Sequence, residues 1–275
     1  MSAVHRWKAL IQAEHAQSER MRAPGPAGDF WRDYAQMFRT DPHRSGDPIL
    51  NRLLEEVSPD DVLIDVGAGG GRMALPLALR CRQVVAVEPS PSMIQVLEEQ
   101  ARGYGIGNIT VVRASWEEAE VGPADLTLCC NVLYTIQEIE PFLRKLESHA
   151  RKRVLIVLYS TPPQSQIYPL WQEIHGEERI PLPSLPELAE VLQELDIPAQ
   201  IEMLPPQPAR GFDSLEQAID QLASRLYLGE GSDKKARLVS ILQGRLEEID
   251  RTWRIRGAQS LQPGLVSWRP QQLCS

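Results

Sequence analysis

The sequence predicts an α/β protein built on a parallel sheet with helices on both faces, and three observations carry that prediction. A short apolar run at 62–66 is followed by a glycine turn and then by helix-forming residues. Further apolar, β-branched runs recur at 84–87, 109–112, 124–130 and 150–157. Amphipathic stretches of helical length separate them, and strands alternating with such helices form parallel crossovers.

At the start of the chain, residues 1–21 carry Val4, Trp7, Leu10 and Ile11 at helical spacing, and the proline- and glycine-rich stretch 22–28 breaks that helix. Residues 30–38 hold much of the limited aromatic content. Phe30, Tyr34, Met37 and Phe38 would share one helical face, with a loop at 40–48 after them. Ile49, Leu50, Leu53, Leu54 and Val57 then mark an amphipathic helix leading into the first strand.

Val62, Leu63, Ile64 and Val66 read as a strand buried on both faces, since turn-prone Ser58-Pro-Asp-Asp61 bounds them on one side and glycine on the other. Gly67, Gly69 and Gly71 follow at alternate positions. A dinucleotide fingerprint would need its third glycine at position 72, where Arg72 stands. Met73, Ala74, Leu75, Leu77 and Ala78 are good helix formers, and Pro76 is close enough to the first turn to be tolerated. The second strand, 84–87, ends in Glu88, at the spacing of roughly 20 residues expected of a ribose-binding carboxylate. Ser90 is placed to N-cap the next helix, with Pro91 at its first position.

The run Asp65-Val-Gly67-Ala-Gly69-Gly-Gly71, together with Glu88-Pro-Ser-Pro-Ser-Met93, resembles the first two motifs of class I S-adenosylmethionine (SAM)-dependent methyltransferases. The resemblance covers roughly 60–158. It implies a Rossmann-like seven-stranded sheet with helices on both faces and SAM as cofactor. It also implies cofactor contacts from Asp65, Gly67, Ala68, Gly69, Gly71, Glu88, Pro89, Met93, Ser115, Trp116, Asn131 and Val132. Where the family usually carries an acid after the third strand, Ala114-Ser115-Trp116 stands here; Ser115 is then the expected hydrogen-bond acceptor and Trp116 the residue against adenine. Asn131 to Tyr134 follow the fourth strand at its carboxyl end, where ligands bind in open α/β sheets. Members often place an N-terminal helix with aromatics over the donor site. Residues 1–47 are accordingly expected to form a lid segment, with Trp31 and Tyr34 as partners of the sulfonium, and 48–275 the methyltransferase domain.

Beyond the fifth strand, 159–186 is rich in proline and carries Tyr168, Trp171 and His175 where a substrate loop would lie. A helix is expected at 185–195 and a sixth strand at 200–204. Asp213-Ser-Leu-Glu216 resembles a capping box opening a helix with Leu215, Ile219, Leu222 and Leu226 on one face. Leu238, Ile241, Leu242, Leu246 and Ile249 stripe a second helix, and 260–268 reads as the seventh strand. The two helices form a cap insertion at about 207–257 that would cover the substrate or support a dimer, so the chain is expected to be a monomer or a homodimer.

Methyl transfer from SAM is mostly a problem of positioning, so no dedicated catalytic residue is demanded. Tyr34, Tyr134, His43 and His175 are candidates for a base or substrate contact. The net charge of −8 disfavours broad capture of nucleic acid and favours a small-molecule acceptor. Methylation of RNA or protein, a non-catalytic SAM-binding assembly factor, and an NAD-dependent oxidoreductase are the alternatives. Cys81, Cys129, Cys130 and Cys274 lack zinc-site spacing, so no metal is expected. Neither a leader nor a membrane-spanning run is evident, and a cytoplasmic location is expected.

Overall fold

The computed structural model describes residues 1–22, 28–29, 31–32, 34–209, 211–249 and 252–271. Its main sheet uses β1 (Val62–Val66), β2 (Gln83–Val87), β3 (Ile109–Val112), β4 (Ala124–Cys130), β5 (Ala150–Tyr159), β6 (Gln200–Met203) and β9 (Pro263–Trp268). These seven lie in the order β3-β2-β1-β4-β5-β9-β6, with β9 antiparallel to both its neighbours and β6 on the edge. The other pairings are parallel. The strand order reverses between β1 and β4, which makes their carboxyl ends the crevice where a ligand belongs.

Register brings three loops together at that crevice. Val66 pairs with Val87 on one side and with Cys129 on the other, so β1 and β2 end level and β4 runs one residue further. Gly67, Glu88 and Asn131 therefore begin neighbouring turns.

Leu63 and Ile64 point to opposite sides of the sheet and enter separate clusters, as the strand period requires. Leu63 joins α2 (Pro48–Glu56), α3 (Ala74–Ala78) and α4 (Pro91–Gly103); Ile64 joins α1 (Ala3–Met21), α5 (Ile139–His149) and α7 (Leu185–Glu194). Trp7 and Ile11 of α1 are fully buried, and the Trp7 indole N–H donates to the Ile136 carbonyl at 2.7 Å. The first helix is thus built into the core beside the sheet.

A third cluster holds a cap made of α6 (Tyr168–His175), α8 (Leu215–Arg225), α9 (Asp233–Arg245) and a hairpin, β7 (Leu246–Ile249) with β8 (Thr252–Ile255). This corrects the sequence reading in four places. The second cap helix ends at Arg245, and Leu246 and Ile249 belong to the hairpin instead. Residues 168–175, expected as a loop, form a helix whose Trp171 is fully buried. The first cap helix is capped one residue later than expected, by Ser214 accepting the Gln217 N–H at 3.0 Å. Only a short 3-10 turn at Ala35–Phe38 replaces the helix expected at 30–38, and Phe30 lies outside the described residues.

Candidate active site

The glycine loop after β1 bends sharply because Gly67, Gly69 and Gly71 all have positive φ, at 70°, 55° and 91°. The loop is tied to the end of β2, where the Val87 carbonyl accepts the N–H groups of Gly67 and Ala68 at 2.8 and 3.2 Å. The three glycines serve different ends. A Cβ at Gly67 would fall 2.4 Å from Val132, and one at Gly71 would lie 2.9 Å from the Leu75 side chain, so both are packing positions. A Cβ at Gly69 would meet no atom within 4 Å. Gly69 is the glycine that faces open space.

Asp65, one residue before the end of β1, is 2% exposed, and its Oδ2 is buried with no hydrogen-bond partner. Burial first, and then the Glu88 charge, push its carboxyl up to about 7, against a hydrogen bond from the Ala74 N–H. Across the crevice, Asn131 adopts φ 60°, a left-handed conformation that asparagine tolerates better than most residues. Its Oδ1 is also a buried acceptor without a donor. Two unfilled acceptors thus flank the crevice from adjacent strands, an arrangement suited to a cationic N–H ligand such as the ammonium of SAM.

Glu88 is buried at the end of β2, and its Oε2 accepts the Gly69 N–H at 2.8 Å while Oε1 accepts the Ser90 N–H at 2.9 Å. Burial raises its pKa, and those two hydrogen bonds oppose the rise. Carboxylate oxygens can accept further hydrogen bonds, so Glu88 stays able to receive vicinal hydroxyls.

Described residues within 28–47 lie along the glycine loop and the start of α4 as a strap. Asp29 accepts from the Ser92 N–H at 3.0 Å and from the hydroxyls of Ser90 and Ser92, beside the start of α4. Burial would raise Asp29, but hydrogen bonds from Ser92, Ser90 and Trp31 outweigh it and hold the carboxyl at about 2. Phe38 seats against Gly70, and the Thr40 N–H donates to Gln100, whose own amide donates to the Gly70 carbonyl. Asp47 caps α2 through Oδ1, and its Oδ2 accepts from both Arg44 and Arg72 at 3.2 Å.

The remaining expected residues divide. Ala68 and Val132 lie in or against the loop. Met93 is buried with Ala35 and Val96 beneath the strap, whereas Pro89 is exposed. Ser115 donates to Glu118 at 3.2 Å. Trp116 departs from the expected adenine contact: its ring is buried against His149 at 5.2 Å and the Lys145 ammonium at 4.9 Å. Tyr134 is buried, its hydroxyl accepts the Tyr159 N–H at 3.0 Å, and burial drives its pKa far upward. His175, at the end of α6, is tied to the rest of the cap through the Leu226 carbonyl at 2.9 Å and Lys234 at 3.2 Å, and burial lowers its pKa. Tyr34 bonds to Ser224 of the cap and Trp31 meets Phe38 edge-on at 5.5 Å, while His43 is exposed beside Tyr104.

Among the described residues, no cluster of His, Cys, Asp and Glu could hold a metal. Cys81, Cys129 and Cys130 are free thiols; Cys274 lies outside the described residues. No described helix is long and apolar enough to cross a membrane.

Comparison with known proteins falls on the same segment. Residues 64–158 match the model of a family described as methyltransferase domain. The chain is 31% identical over 116 residues to a probable cobalt-precorrin-6B C(15)-methyltransferase (decarboxylating) of Methanothermobacter thermautotrophicus, covering 41% of this chain and 60% of that protein. It is 23% identical over 198 residues to a ubiquinone biosynthesis O-methyltransferase of Rickettsia felis, covering 65% and 80%. The first three curated relatives are matched over 66%, 60% and 24% of their own lengths. The fold is shared with the YcgJ protein of a Bacillus, at TM-score 0.51 and 14% identity, over 79% of this chain and 96% of that one.

Proposed function

We propose that this chain, whose residues 64–158 match the methyltransferase-domain model and whose fold is Rossmann-like, transfers a methyl group from SAM to a small-molecule acceptor. The observation that carries the cofactor end is the pair of orphaned acceptors, Asp65 Oδ2 and Asn131 Oδ1, on either side of the glycine loop. Together they would hold the ammonium of the amino-acid end. Gly69 leaves room for the ligand backbone, and Glu88 would receive the ribose hydroxyls. When bound, SAM supplies a methyl group already activated by positive charge, with a neutral thioether as leaving group.

The chain's own part is positioning. Strand register fixes Asp65, Glu88 and Asn131 near three neighbouring strand ends, and the strap covers the loop at Gly70. Tyr134 and His175 are committed to the core and the cap, so neither is the general base. The acceptor's own acidity or nucleophilicity then governs the reaction.

A small acceptor is supported by the negative net charge and by the small-molecule methyltransferases among the relatives. The test incubates the protein with methyl-labelled SAM and separate pools of small acids, phenols and amines, RNA, and protein. Label appearing in a small-molecule pool is expected, and label in RNA or protein alone would contradict the proposal.

A further inference from the structure

Arg72 stands where a dinucleotide loop would have glycine, and its side chain reaches Asp47 at the start of α2. Its charge acts on Cys130 at the end of β4 and on Tyr159 at the end of β5: burial raises both pKa values, and Arg72 opposes the rise. Cys130 is pushed up to about 12, so both groups are neutral near pH 7. Arg44 and Arg72 share one carboxylate, that of Asp47, on the same Oδ2. Two guanidiniums against one carboxylate leave a positive charge in excess. Asp65 is also within electrostatic reach of Cys130, and its carboxyl is the group proposed above for the ammonium.

The two arginines are not equivalent. Arg44 has 18% side-chain exposure and is committed to Asp47, the Arg72 carbonyl and the Asp41 carbonyl. Arg72 has 43% side-chain exposure and donates one nitrogen to Asp47. It also donates a hydrogen bond to the Tyr159 hydroxyl; its remaining N–H groups are open to a ligand, and a guanidinium fork matches a carboxylate with two parallel hydrogen bonds.

We infer that Arg72, backed by Arg44 and oriented by Asp47, is a carboxylate-binding site at the β4–β5 side of the crevice, fitted to an acidic methyl acceptor. This rests on the cofactor lying over Gly69 and Glu88, which leaves the ends of β4 and β5 to the acceptor. A carboxylate could also come from the amino-acid end of the cofactor itself, and the two sources are separable.

Wild type, Arg72→Met and Arg72→Lys are titrated with S-adenosylhomocysteine (SAH), with 5′-methylthioadenosine, which lacks the amino-acid end, and with benzoate in the presence of saturating SAH. Benzamide is the uncharged control. The acidic-acceptor site requires benzoate, but not benzamide, to bind the wild-type complex and to weaken by about tenfold or more in Arg72→Met. SAH affinity should then be unchanged. Arg72→Lys keeps a cation beside Asp47, and with it the fold, yet loses the fork and should weaken benzoate several-fold. A loss confined to SAH, with methylthioadenosine unaffected, would assign the same site to the cofactor's carboxylate. Unchanged SAH affinity in folded variants, with no benzoate binding to wild type or none that depends on Arg72, overturns the inference. Failure of wild type to bind SAH at all would instead overturn the methyltransferase reading.

Discussion

The Glu88 carboxylate accepts the Gly69 N–H at 2.8 Å, so the acid that ends β2 also sets the conformation of the loop that follows β1. In the proposed function, one side chain would therefore couple the ribose position to the amino-acid position of the cofactor. Its other oxygen holds the Ser90 N–H at the start of α4.

Glu88→Ala should consequently do two things at once. It leaves the Gly69 and Ser90 N–H groups without their acceptor, at a cost of about 1–3 kcal/mol in stability, and it should weaken SAM and SAH alike by roughly tenfold or more. Urea denaturation and SAH calorimetry on the same preparation measure both. Unaltered SAH affinity would remove Glu88 from the ribose.

Gly69 and Gly71 look interchangeable in the sequence, where a larger residue at either should block the cofactor with little loss of fold. The structure separates them. Gly71→Ala meets Leu75 at a φ of 91° and should destabilise the protein by about 2–4 kcal/mol. Gly69→Ala should cost only about 1–2 kcal/mol, from its positive φ, while greatly weakening SAH. Denaturation midpoints and titrations of the two variants distinguish a packing glycine from a ligand glycine.

The Asp65 carboxyl gives the free protein an unusual pH dependence. Its ordinary value is 3.8 and its folded value about 7, so between those limits the folded protein holds a proton that the unfolded chain has released. Stability therefore falls as pH rises through that window, by on the order of a few kcal/mol, and Glu88, also raised, acts in the same direction. A bound ammonium favours the ionised carboxylate. SAH should thus bind with proton release near pH 6 and tighten as pH rises towards 7, and Asp65→Asn should abolish the release. Calorimetry in buffers of different ionisation enthalpy reads it directly.

Tyr134→Phe removes the acceptor of the buried Tyr159 N–H and should cost about 1–3 kcal/mol while leaving SAH affinity unchanged. A loss of SAH affinity in a folded Tyr134→Phe protein would return the residue to the site.

Local patterns made the main sheet legible. The glycine turn, the apolar strands and the Ser90 cap with Pro91 behind it are each written in a few consecutive residues. The cap hairpin was hidden because Leu246 and Ile249 continue the helical stripe of Leu238 and Leu242, and nothing local marks Arg245 as an end. Asp29 on Ser92, Trp116 on His149, and Arg72 on Asp47 are long-range pairs that no periodicity encodes. Arg72 did leave a trace, as the residue that breaks the dinucleotide spacing, but its partner could be found only in three dimensions.

The most direct test of the central claim is a calorimetric titration of the full chain with SAM, SAH and NAD. A single site for SAM and SAH, with no binding of NAD, is the predicted result. A well-folded protein that binds neither SAM nor SAH, or that binds NAD alone, would contradict the assignment of the glycine loop and its acids to a methyl donor.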